Sequence, residues 1–205
     1  MKATRCIAIF LVVATPHLAM AKVAGTTLGD LAKISPTIVL AKVERTSKID
    51  GRNWAEARVL EVIKGPALTT LHFLAEPTWT CDISEAKDGE KVLLFLQPAA
   101  TAEWMFKKRP EHLPNESFLI AWSGRGRMPL REISGERYAT LWSDVRLPES
   151  VRTHSGPEPK YSFIRSARLS DILVVIRRAP NSTLQRTSAR RLLLLPSRPG
   201  AGRSR

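Results

Sequence analysis

The residues best suited to proton transfer, metal ligation or nucleophilic attack are four histidines and two cysteines, and they are scattered through this 205-residue chain. No His-Glu-x-x-His, Cys-x-x-Cys or Gly-x-Ser-x-Gly brings any of them into a working set. His112 and Glu116 are four apart, a spacing that puts two ligands on one helix face, but Pro114 between them breaks a regular helix. His72 sits in the apolar run Leu71-His72-Phe73-Leu74 and reads as a half-buried strand residue rather than a base. Gly124-Arg125-Gly126-Arg127 offers backbone N–H groups and guanidinium to an anion; a turn or bulge between strands accounts for the same glycines and is the preferred reading. Cys81, in Trp79-Thr80-Cys81-Asp82, is the candidate functional thiol. Packed under a loop it is a small hydrophobe; exposed in an oxidising compartment it is reactive. No catalytic residue, cofactor or metal site is assigned.

The elements that must position these groups begin after residue 21. Met1 to Arg5 is a short basic start, Cys6 to Ala14 an apolar run, and Ala19-Met20-Ala21 a small-x-small cleavage pattern. That order is a secretory signal peptide, and its apolar run is shorter than the about 20 residues of a membrane span. Cleavage after Ala21 leaves Lys22 as the mature N-terminus and the chain exported, periplasmic or secreted. It also leaves Cys81 as the only cysteine, so no internal disulfide is expected. No later stretch is long and apolar enough to form a spanning helix.

The net charge of +13 is unevenly placed. Residues 1–21 hold Lys2 and Arg5 with no acid, and residues 177–205 hold eight arginines with no acid. Residues 22–176 therefore carry 22 bases against 19 acids, a net of only +3. The excess belongs to a tail, 179–205, whose Arg186, Arg190, Arg191 and Arg198 lie among Ser, Pro and Gly. Such a segment buries too little apolar area to offset its ordering entropy and is expected to be disordered. Its expected partners are polyanions or anionic lipid held weakly by screened attraction. Trp104 beside Lys107-Lys108-Arg109 is the one pairing of an aromatic with a basic run. No specific nucleic acid is expected, since an exported protein meets little of it.

Residues 22–178 read as one domain of short strands. Ile38 to Val43 follows Pro36, and the turn at Asp50-Gly51 leads into Trp54 to Ile63, a hairpin with one buried and one wet face. Lys64-Gly65-Pro66 stops it. Leu71 to Leu74, Lys91 to Leu96 and Ser117 to Trp122 follow; Met128 to Ile133 and Glu136 to Trp142 flank the two-residue loop Ser134-Gly135. Short strands between turn signals indicate an all-β barrel or sandwich. A helix should close the domain, capped by Ser170, with Asp171 in its first turn, Arg177-Arg178 at its end and Leu169, Ile172 and Ile176 facing inward. A helical turn is expected within Thr27 to Lys33.

Three of these runs, Ser35 to Val43, Ala57 to Gly65 and Gly89 to Leu96, form an ordered set. Together with the helix from Ser170 they resemble bacterial exported proteins whose domain is similar to the netrin and tissue-inhibitor-of-metalloproteinase module. The resemblance covers roughly residues 28–97 and implies an OB-like five-stranded antiparallel barrel with a short C-terminal helix. In the animal inhibitors that share this module, a first-residue cysteine chelates the target's zinc. Here that place falls to Lys22, whose ammonium is no zinc ligand, so inhibition of that kind is not expected. The expected function is a non-catalytic binding module for an unknown envelope or extracellular protein. The alternatives are a thiol-dependent enzyme or redox protein at Cys81 with His72, and an inhibitor-like or polyanion-binding protein.

Overall fold

Apolar runs bounded by glycine turns become strands here, and the turns set which strands meet. The computed structural model describes residues 25–77, 85–101, 113–114, 116–154 and 163–179. Its strands are β1 (Thr26–Thr27), β2 (Thr37–Ile49), β3 (Arg52–Lys64), β4 (Thr70–Leu74), β5 (Lys91–Pro98), β6 (Ser117–Ile120), β7 (Arg127–Ile133), β8 (Glu136–Trp142), β9 (Val145–Arg146) and β10 (Ile164–Arg168). Two helices, α1 (Leu28–Ile34) and α2 (Leu169–Arg178), lie near the two ends of the described chain.

The protein is mainly β, and β2, β3, β4, β6 and β5 close a five-stranded barrel. Four of its junctions are antiparallel: β2–β3, β3–β4, β5–β6 and β2–β5. The fifth, β4–β6, runs parallel, with His72 opposite Ser117 and Phe73 opposite Phe118. Closure leaves few free strand edges, as in OB-type Greek-key barrels. The hairpins follow the turn residues. Asp50 and Gly51 take φ of 49° and 78°, and Ser134 and Gly135 take 52° and 79°, the left-handed pairs that suit tight hairpins.

Inside the barrel lie Val39, Ala41 and Val43 of β2, Ala55 and Ala57 of β3, Leu71 and Phe73 of β4, Val92, Leu94 and Leu96 of β5, and Phe118 of β6. The alternate residues Ile38, Leu40, Leu93 and Phe95 point out of the barrel, yet they are buried as well. Both helices and the added sheet β7–β8–β10, joined to the barrel along β5, cover them. Burial on two faces is why β2 and β5 read as unbroken apolar runs instead of alternating ones. The expected half-wet hairpin is thus corrected for β2, which is buried on both faces from Thr37 to Ala41, whereas β3 keeps buried Ala55 and Ala57 beside exposed Arg58, and Glu44–Lys48 of the outer arm is exposed on both faces. Each fully buried Phe or Leu contributes about 2 kcal/mol of apolar transfer.

Strand β5 changes partner midway. It pairs with β7 over Val92–Leu94 and with β6 over Leu96–Pro98. At the changeover the Phe95 N–H donates to the Gly126 carbonyl at 2.8 Å, and the Phe95 carbonyl accepts from the Ala121 N–H at 2.9 Å. Residues 121–126 make the tight turn between the two strands, so the run expected to extend to Trp122 ends at Ile120. Residues 98–168 thus do two things: β6 completes the barrel, and β7, β8 and β10 add a sheet beside it.

Helix α1 is capped by Thr27. The Asp30 N–H donates to Thr27 Oγ1 at 2.9 Å, and Lys64 Nζ donates to the Ala32 carbonyl at 2.8 Å near the helix end. A cation suits that end of the dipole, and burial lowers the lysine's pKa. Helix α2 corrects one expectation. It begins at Leu169, and Ser170 is not its cap; the N-cap is Arg168, with no side-chain cap bond. Burial of Leu169 with Ile172, Leu173 and Ile176 goes with a first turn that starts two residues earlier than a Ser170 cap would set it. Asp171 is in the first turn, as expected, and accepts from Arg152 Nε at 2.9 Å and Nη2 at 3.0 Å.

Candidate functional site

The outer arm of the β2–β3 hairpin and the segment that follows β4 frame a groove. Thr46, Ser47, Lys48 and Asn53 form one wall, and Ala75, Glu85 and Ala86 the other, around a volume of about 260 Å³. Glu76 fastens the two walls. It accepts from Arg52 Nε at 2.6 Å and from the Asn53 N–H at 2.8 Å. The Ala75 N–H donates to the Asn53 carbonyl at 2.9 Å, and the Ala86 N–H to the Ala75 carbonyl at 3.3 Å. Hydroxyl, amide, ammonium and carboxylate groups line the opening, so it offers hydrogen bonds and both signs of charge to a polar ligand. Cys81 falls in sequence between Ala75 and Glu85 and lies outside the described residues.

Around the corner, the outer wall of β2–β3–β4 carries a charged line. Register sets Glu56 between Arg45 and His72. Arg45 Nε donates to Glu56 Oε2 at 2.7 Å, and His72 Nε2 lies 3.8 Å from the same oxygen. At 3.8 Å the imidazole is within reach of an ion pair when protonated but makes no hydrogen bond. His72 is half-buried in β4, as its apolar setting suggests, and Glu116 touches it only through backbone, the His72 N–H donating to the Glu116 carbonyl at 3.1 Å. Arg58 Nε donates to Glu44 Oε1 at 3.1 Å.

The Gly124–Arg127 run is a turn. Trp122, Ser123 and Gly124 all take positive φ, which folds Arg125 back into the protein, where it is 2% exposed. Its Nη2 and Nε donate to Asp144 Oδ2 at 2.6 and 2.9 Å, and its guanidinium sits 5.5 Å from the centre of the Trp142 ring. Trp142 in turn stacks on Phe163. Buried Arg127 pairs with Glu90. Both guanidinium groups thus have carboxylate partners, and the anion-wrapping alternative is set aside. Of the tryptophans, Trp54 and Trp142 are buried, while Trp122 is 37% exposed.

Several residues singled out above lie outside the described residues: Ala19, Ala21 and Lys22 at the cleavage site, Trp104, Lys107, Lys108, Arg109 and His112, and Arg186, Arg190, Arg191 and Arg198 of the tail. The groove residues and Glu56 were not among the expected site residues. No motif marks them, and only strand register assembles them. Comparison with protein-family models and with curated proteins gives no match.

Proposed function

We propose that this protein is an exported, non-catalytic binding module that holds a protein partner at the groove between the β2–β3 hairpin and residues 75–86. The groove itself carries the proposal. It is polar, it lies at the projecting end of a closed barrel, and Glu76 braces it without occupying it. The resemblance of β2, β3 and β5 to exported netrin-like modules supports export, as does the N-terminal cleavage pattern. The charged groups beside Arg125, Arg127 and Arg52 are engaged in fold-holding pairs, which suits a scaffold better than a reaction centre.

The test is site-specific photo-crosslinking in intact cells, with the photoreactive residue at Ser47 in the groove or at exposed Glu149 away from it. An adduct of defined mass from Ser47 alone supports the proposal. No adduct, or the same adducts from both positions, counts against it. The thiol-enzyme reading keeps one favourable observation, the closeness of His72 to Glu56, which could orient an imidazole.

A further inference from the structure

Two of the charged cross-strand pairs on the described strands are of opposite sign. Arg45 faces Glu56 across β2–β3, and Glu132 faces Arg137 across β7–β8. One row breaks the pattern. Lys42 of β2 stands directly opposite Lys91 of β5 on one side and Arg58 of β3 on the other. Their neighbours Ala41, Val43, Ala57 and Val92 point into the barrel, so the three cations share its outer wall. Adjacent strands lie about 4.8 Å apart, so the three backbone positions fall within about 10 Å.

Like charges directly opposite one another destabilise a sheet. Arg58 is relieved by Glu44, but among the described residues no carboxylate pairs with Lys42 or Lys91. Lys91 is exposed and Lys42 half-buried, so both ammonium groups can reach a ligand lying across the strands. Thr70, opposite Arg58 on β4, extends the row with a hydroxyl. Among the described residues this wall offers no exposed tryptophan for a base to stack on; its Trp54 is fully buried with Leu74 and Leu119.

We infer that the Lys91–Lys42–Arg58 row binds oxyanion groups, phosphate or sulfate, carried on a linear polymer other than a nucleic acid. Three cations crossing adjacent strands match a chain of closely spaced anions, and a tetrahedral oxyanion accepts from two or three of them at once. The site is on the barrel and distinct from both the arginine-rich tail and the groove, so it stands whether or not a protein partner is found there.

The test uses the whole mature protein, whose tail gives the same background in every variant. Titrations with inorganic polyphosphate and with dextran sulfate, each across a salt series, are compared for wild type and the double variant Lys42→Gln/Lys91→Gln, with single-stranded DNA as a third arm. Weakening of at least fivefold for polyphosphate, dextran sulfate or both, with the salt slope reduced by about 2, supports the site and tells which oxyanion it prefers. A second variant separates binding from folding: Lys42→Glu should raise Tm by pairing with Lys91 and Arg58 while weakening polyanion binding further. Unchanged affinity in the double variant overturns the inference. So does weakening confined to DNA, or a Tm that falls in both variants.

Discussion

Phe95 and Gly126 approach closely, and their backbones form the junction between barrel and added sheet. A Cβ at position 126 would lie 2.7 Å from the Phe95 carbonyl oxygen and 3.0 Å from its Cβ. Both neighbours are held, the first in a hydrogen-bonded strand and the second in a buried side chain. Gly126→Ala should therefore cost about 2–3 kcal/mol and lower Tm by several degrees in thermal denaturation. Gly29→Ala is the opposite case, because its Cβ would meet only Thr27 Oγ1 at 3.7 Å within helix α1. That change should stabilise by about 0.5–1 kcal/mol.

The Arg125–Asp144 pair predicts a large loss from a single deletion. Arg125 is almost fully enclosed, whereas the Asp144 side chain is 35% exposed. Removing the carboxylate strands a buried guanidinium, so Asp144→Ala should cost about 3 kcal/mol by chemical denaturation. Trp142 gives a fluorescence probe at the same place, and its emission should shift with the variant.

Acid should loosen α2 before it unfolds the barrel. Hydrogen bonds from the Arg152 side chain hold the Asp171 carboxyl at about 2, below its ordinary 3.8. A depressed carboxyl stabilises the fold above pH about 4, and that contribution is lost as pH falls toward 2. Asp171→Asn should melt roughly 1–3 °C below wild type at pH 6, and the gap should close near pH 2. A gap that persists at pH 2 would show that packing, not charge, sets the difference.

The two readings of Cys81 differ in what a thiol reagent sees. Under the binding-module proposal the thiol is a packed hydrophobe, and labelling of the folded mature protein at neutral pH should be slow and rise on denaturation. Rapid labelling of the folded form, slowed by His72→Ala, would instead favour the thiol-dependent alternative. Mass measurement of the same exported material should place its N-terminus at Lys22.

The hairpins were legible because their turns fix a count. Asp50-Gly51 sets Ile49 opposite Arg52, and counting outward sets Arg45 opposite Glu56. The count then fails at the irregularity between Val43 and Arg45, beyond which Lys42 meets Arg58. The cationic row was therefore hidden by one extra residue. The apolar strands of the barrel carry their own signal, whereas β10, Ile-Arg-Ser-Ala-Arg, carries little. Its arginines reach groups distant in sequence, Arg165 the Val145 carbonyl and Arg168 Glu136. The parallel β4–β6 pairing is equally silent in sequence, since no turn joins those strands. The groove arises from two segments more than twenty residues apart, braced by the Arg52–Glu76 pair, and no spacing rule announces it.

The most direct measurement is the affinity of the purified mature protein for the partner crosslinked through Ser47, compared with that of Ser47→Trp. The indole should fill the roughly 260 Å³ groove without touching the barrel core. At least a tenfold loss of affinity with unchanged Tm is the predicted result. Equal affinity for the two proteins would contradict binding at this groove.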